Sequence, residues 1–140
     1  MKSDFSLAVH ALVYLNHRAE VVSSEELSVN ICTHPARVRR VMAKLRGAGF
    51  VKTKEGSVGG GYQFISDPAR LSLNEVAKAL DIRFVETSWQ SGSSDMDCQI
   101  ASGMAGIMDD IFDDLNQRCA ERLSEITIAD IDRKIFGGGE

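Results

Sequence analysis

Cysteine, proline and tryptophan are scarce in this chain, and the scarcity of each narrows the choices. There are three cysteines, two prolines and one tryptophan in 140 residues. Cys32, Cys98 and Cys119 are widely separated, odd in number and free of any Cys-x-x-Cys or Cys-x-x-His spacing, which excludes a disulfide framework and an ordinary zinc site. No apolar run reaches the roughly 18 residues of a membrane-spanning helix, so no membrane partner is expected. The segment from Met1 to Phe5 carries Lys2 and Asp4 and has neither an apolar core nor a cleavage site of an export signal. A cytoplasmic protein is expected. All three histidines precede residue 35, so no thiol has an imidazole beside it in sequence, and the chain is not expected to be an enzyme.

Acidic residues are missing from one stretch in particular. Between Pro35 and Lys54 there are seven cations (Arg37, Arg39, Arg40, Lys44, Arg46, Lys52 and Lys54) and no acid, although the whole chain carries a formal charge of -4. From Asp95 to Asp132, ten acids face only Arg118 and Arg122. One part of the molecule attracts polyanions and another repels them.

Helical recurrence of Phe5, Ala8, Val9, Leu12, Val13 and Leu15 predicts a helix over residues 3–19. His10 and His17 fall within it as residues of the helix face. Ser23 and Glu26 match a capping box ahead of a short helix over 24–29. After a tight turn, His34 is the expected cap of a helix that starts with Pro35, since proline fits the first helical position and keeps the preceding residue out of it. Val38, Val41, Met42 and Leu45 form that helix's inward stripe. Arg37, Arg40 and Lys44 lie opposite, and Gly49 can take the left-handed conformation that ends it. Two short helices joined by a tight turn, the second basic, make a helix-turn-helix candidate.

Residues 50–55 and 62–65 read as strands around a glycine-rich tip from Gly56 to Gly61. That tip leads into a strand and lacks the Gly-Lys-Ser/Thr that opens a helix in a phosphate-binding loop, which argues against nucleotide binding. Ser72 and Glu75 again match a capping box, before Leu73, Val76, Ala77 and Leu80. Residues from about Thr87 to Asp97 are polar and read as a loop. From about Asp97 to Leu123, Ile100, Met104, Ile107, Met108, Ile111, Phe112, Leu115, Cys119 and Leu123 recur at three and four. A helix of that length spans about 40 Å, more than a small head covers, and its stripe is expected to meet a second copy of the chain. A short helix over 127–135 and a frayed tail around Gly137 to Gly139 complete the reading.

The string from His34 to Met42, then Leu45 to Val51, then Gly59, Gly60, Gly61 and Tyr62, resembles the winged-helix regulators of the Rrf2 family. Asp67-Pro68-Ala69 and the segment Leu71 to Val76 extend the likeness, and Cys98-Gln99-Ile100 with the long helix fit the remainder, so it covers nearly the whole chain. The resemblance implies a mainly α fold with a small β-hairpin wing: a winged helix-turn-helix head over residues 1–84, a linker over 85–96 and dimerisation helices over 97–140. It implies a homodimeric transcription regulator, expected to be a repressor, on double-stranded palindromic DNA. Ala36, Arg37 and Arg40 are then expected nearest the bases, with Arg39 and Lys44 nearer phosphates. Ser24, Lys54, Gly59, Gly60 and Tyr62 complete the expected DNA-binding set. Ile100, Met104, Ile107, Met108, Ile111 and Leu115 form the expected dimerisation set. Family members carry an arginine just before the wing glycine, where this chain has Glu55, so reading of the minor groove by that position is not expected.

Cluster-binding members of the family gather three cysteines ahead of the long helix, and only Cys98 stands there. No iron–sulfur cluster, and no other cofactor or metal, is expected. The chain resembles the branch with one cysteine in that place, which makes Cys98 a candidate redox-sensing thiol. The helix dipole favours its thiolate, while Asp95 and Asp97 oppose it. Cys32, in the reading head, is the second candidate, and Cys119 is read as core. Control by a small molecule held near Phe84, Trp89 and Met96, an iron–sulfur cluster, and a winged head used only for protein contacts remain the alternatives.

Overall fold

The computed structural model describes residues 1–56 and 58–137. Its elements run α1 (Ser3–Arg18), α2 (Ser24–Ile31), α3 (Pro35–Gly47), β1 (Val51–Lys54), β2 (Gly61–Phe64), α4 (Leu73–Ala79), α5 (Gln99–Leu123) and α6 (Ile128–Phe136). The two strands pair antiparallel, Val51 opposite Phe64 and Lys54 opposite Gly61. The fold is therefore mainly α with a hairpin wing.

Local chemistry sets the boundaries. The Ser23 hydroxyl accepts the Glu26 N–H at 3.1 Å and starts α2. Glu26 does not reach back to complete the box: its carboxylate takes the Tyr14 hydroxyl at 2.6 Å and pairs with Arg18, tying the end of α1 to α2. α2 runs two residues past the expected end and stops where Cys32 turns left-handed at φ 64°. His34 Nδ1 accepts the Ala36 N–H at 3.1 Å, so the cap and the first-position proline sit as expected. Gly49 takes φ 85° past α3. Ser72 and Glu75 form both bonds of a capping box, each such cap being worth about 1 kcal/mol.

One core holds the head. Leu12 and Leu15 of α1, Leu27 of α2, Val38, Met42 and Leu45 of α3 and Val76 of α4 are fully buried. α6 packs back onto the head. The Ile128 N–H donates to the Leu71 carbonyl at 3.0 Å, the Leu73 N–H to the Ile126 carbonyl at 2.8 Å, and the Ile128 side chain is fully buried in the core. The amphipathic pattern of α6 was legible, but its partner was not, because an apolar face does not specify which apolar face it meets.

α5 projects from this head and buries none of its residues fully. One side rests on the head and linker, where Asn116 donates to the Val85 carbonyl at 2.8 Å and accepts its N–H at 3.0 Å. The linker is anchored, too: the Ser93 N–H donates to the Ala101 carbonyl at 3.0 Å. The glycine tail expected beyond α6 lies, from Gly138 onward, outside the described residues.

Candidate nucleic-acid interface

α2, the turn and α3 form the helix-turn-helix, and the wing folds beside them. The wing is fastened by backbone: Val22 and Tyr62 exchange N–H···O bonds of 2.9 and 2.8 Å. This close approach explains the glycine run. A Cβ on Gly61 would lie 2.2 Å from the Val22 carbonyl oxygen, and one on Gly60 would lie 2.2 Å from that of Gly56. Neither position can carry a side chain without opening the hairpin.

Between α3, the start of α2 and the wing lies a groove of about 570 Å³, lined by Ser23, Ser24, Arg39, Arg46, Lys54 and Tyr62, with Glu25 and Glu55 also on its walls. Arg39 and Arg46 are two helical turns apart and share the side of α3 that faces the wing. Among the described residues, Arg39, Lys44, Arg46, Lys52 and Lys54 make no ion pair. The α2 N-terminus adds unpaired N–H groups and the positive end of its dipole. Burial pushes the Tyr62 hydroxyl above its ordinary pKa, partly offset by Arg39 and Arg46, so it stays protonated and available as a donor. The groove offers several donors, exposed and unpaired cations and a concave shape, which suits a phosphodiester backbone.

The structure separates the arginines that the sequence groups together. Arg37 donates from Nε and Nη2 to Asp4 Oδ1 at 3.0 and 2.8 Å, and from Nη2 to the Ser3 hydroxyl at 2.7 Å. Arg40 donates from Nη2 to both Asp4 oxygens, at 3.2 and 3.1 Å. The two expected base readers therefore turn back toward α1, whereas Arg39 and Lys44, expected at phosphates, carry unpaired charge. Ala36 is exposed at the first turn of α3, and Gly59 stands near Lys54 at the wing. Sequence reasoning missed two residues here. Arg46 was recoverable from its seven-residue spacing to Arg39. Asp4 was not, because nothing in a first-turn acid announces two arginines more than thirty residues away.

Cys98 caps the N-terminus of α5 and is exposed. Its sulfur makes no capping hydrogen bond in this geometry, yet the N–H groups of Ala101 and Ile100 hold its pKa below the ordinary thiol value. The expected opposition from Asp95 and Asp97 does not prevail, since both acids sit in exposed loop backbone where water screens them. Cys32 is exposed at the end of α2, and Cys119 is half-buried on α5. Phe84 packs edge-on against Phe5, with ring centres 5.1 Å apart, while Trp89 and Met96 are exposed.

The long-helix stripe divides in two. Ile100, Ile107, Ile111 and Leu115 are exposed, at 71, 57, 44 and 42%. Met104 and Met108 are half-buried beside them.

A helix-turn-helix with a hairpin wing, a cationic groove between them and a projecting long helix define a winged-helix transcription regulator. The profile of the Rrf2 family, described as "Iron-dependent Transcriptional regulator", matches residues 1–134. The chain belongs to the Rrf2 family. YwnA of Bacillus subtilis (strain 168), named as an HTH-type transcriptional regulator, is 24% identical over 136 residues, covering 97% of this chain and 99% of YwnA. A crystal structure of a transcriptional regulator from Lactobacillus plantarum superposes with a TM-score of 0.83 at 25% identity, covering 96% of this chain and 91% of that one. IscR of T. potens superposes with a TM-score of 0.71 at 19% identity over 100% of this chain and 90% of IscR. The family and its members are transcriptional regulators and not enzymes.

The family description implies iron, and the donors here can be tested against it. Cys98 and Cys119 stand at the start and near the end of one straight helix, about 31 Å apart along its axis at 1.5 Å per residue. Cys32 belongs to the reading head. Among the described residues no three of His, Cys, Asp or Glu are grouped to hold a metal ion. This donor set does not fit an iron–sulfur cluster held within one chain, which needs several thiolates at one point. No described helix is long and apolar enough to cross a membrane.

Proposed function

We propose that the chain is a homodimeric repressor that binds twofold-symmetric duplex DNA and is controlled by the oxidation state of Cys98, without a bound cluster. The observation that carries this reading is the groove of Arg39, Arg46, Lys54 and the α2 N-terminus, whose cations have no partner inside the described molecule. α3 enters the major groove. Ser24, Lys54, Gly59, Gly60 and Tyr62 hold phosphates on either side, and the wing's glycines allow its backbone to approach closely.

The exposed Ile100, Ile107, Ile111 and Leu115 stripe supports pairing through α5, since an apolar row on a long projecting helix is stable when a second copy covers it. Two heads on one twofold axis then read two half-sites. Asp109, Asp110, Asp113 and Asp114, all exposed on α5, turn that helix away from DNA and help orient the dimer. Cys98 stands where the linker meets α5, so a disulfide between its sulfur and a thiol of the partner subunit or a small thiol, formed as the two thiols give up two protons and two electrons to a peroxide that is reduced to water and an alcohol or to water alone, would alter the geometry between heads.

Selection of bound duplexes from a random pool by the full chain tests the reading. Recovered sites should be palindromic, and oxidation by peroxide should release them from wild type but not from Cys98→Ser. Recovery of no symmetric site, or equal release from both proteins, would reject the corresponding part.

A further inference from the structure

Asp4 is a carboxylate with a side chain only 6% exposed, on the first turn of α1, and it sits against the recognition helix. A buried charge persists only when it is paired and hydrogen-bonded. Arg37 and Arg40 supply four hydrogen bonds to it, and burial, which would raise its pKa, is outweighed by those two guanidiniums together with the N-terminal ammonium of Met1, 3.5 Å from Oδ2, so the carboxylate stays ionised. Both arginines keep a free edge. Arg37 Nη1, and Arg40 Nε and Nη1, donate to nothing in the described molecule, and Arg40 remains 53% exposed. The guanidiniums are thus fixed in direction at the N-terminal half of α3 with donors still unspent.

We propose that Asp4 is a positioning residue for DNA reading: it orients Arg37 and Arg40 on the recognition helix and tempers their attraction to phosphate. The inference rests on the DNA-binding reading above. Its physical content is a trade between affinity and selectivity. A loose arginine on a helix finds any phosphate within reach, whereas one held by a carboxylate presents a single edge with its ordering entropy already lost on folding. One negative charge shared by two guanidiniums also lowers the net charge that DNA meets at this end of α3.

Binding of the full chain to its selected operator and to a scrambled duplex, across a salt series, tests this. Asp4→Asn should tighten binding to scrambled DNA, steepen its salt dependence by about one counterion, and lower the operator-to-scrambled ratio about tenfold. In an Arg37→Ala/Arg40→Ala background the same change should have no further effect on the ratio. A folded Asp4→Asn protein with an unchanged ratio, or an equal loss in both backgrounds, overturns the proposal. Should Asp4→Asn not fold, Arg40→Lys decides: keeping the charge but losing the planar fork, it should lower the ratio without changing the salt slope, and an unchanged ratio overturns the proposal. A wild-type chain that binds no duplex would instead defeat the DNA-binding reading itself, and this inference with it.

Discussion

Cys98 occupies the one place on α5 where a thiol meets N–H groups that the helix itself leaves unpaired. Those donors stabilise the thiolate more than the thiol, so the folded pKa falls below that of an ordinary thiol. The thiolate fraction at neutral pH rises accordingly, and thiolate is the form that attacks oxidants and alkylating agents. Following iodoacetamide modification by mass spectrometry over a pH series should show Cys98 half-activated at a lower pH in the folded protein than in the denatured chain. An equal or higher midpoint in the folded protein would contradict the cap's effect. The position of this cysteine before a helix was legible in the sequence, but the balance between dipole and neighbouring acids was not, because it depends on which groups water screens. The same holds for Arg37 and Arg40, whose place on an outward face was readable while their attachment to Asp4 depended on how α1 lies across α3.

At the scale of elements, hydrophobic period and caps carried most of the information. His34-Pro35, Ser72 and Glu75, and the glycines of the wing each have a local mechanism, and each sits in the structure where that mechanism requires. Partner choice does not follow from period. The sequence pattern of α5 is one stripe, yet the fold gives part of it to the head and leaves Ile100, Ile107, Ile111 and Leu115 facing outward. Covering those four with a second copy predicts that Ile107→Asp/Ile111→Asp is a folded monomer. Sedimentation at micromolar concentration would show it, with wild type sedimenting as a dimer. Helical circular dichroism should be unchanged, because neither residue contributes to the head's core. Identical sedimentation of both proteins would place the dimer interface elsewhere.

The molecule as a whole is electrically polar, with unpaired cations gathered around α3 and the wing and exposed acids along α5. A net charge of -4 hides this, which is why composition alone points away from DNA while the arrangement of charge points toward it. The family, the winged head and the cationic stretch were all legible in the sequence. The division of labour among the cations was not, since seven arginines and lysines in one run look alike until their neighbours are known. The direct measurement is the salt dependence of operator binding by wild type and by Arg39→Ala/Arg46→Ala. The account predicts a steep decline of log affinity with log salt for wild type, and a slope shallower by about 1.8 for the double variant, two phosphate contacts at roughly 0.9 each. Equal slopes for the two proteins would contradict the assignment of this groove to the DNA backbone.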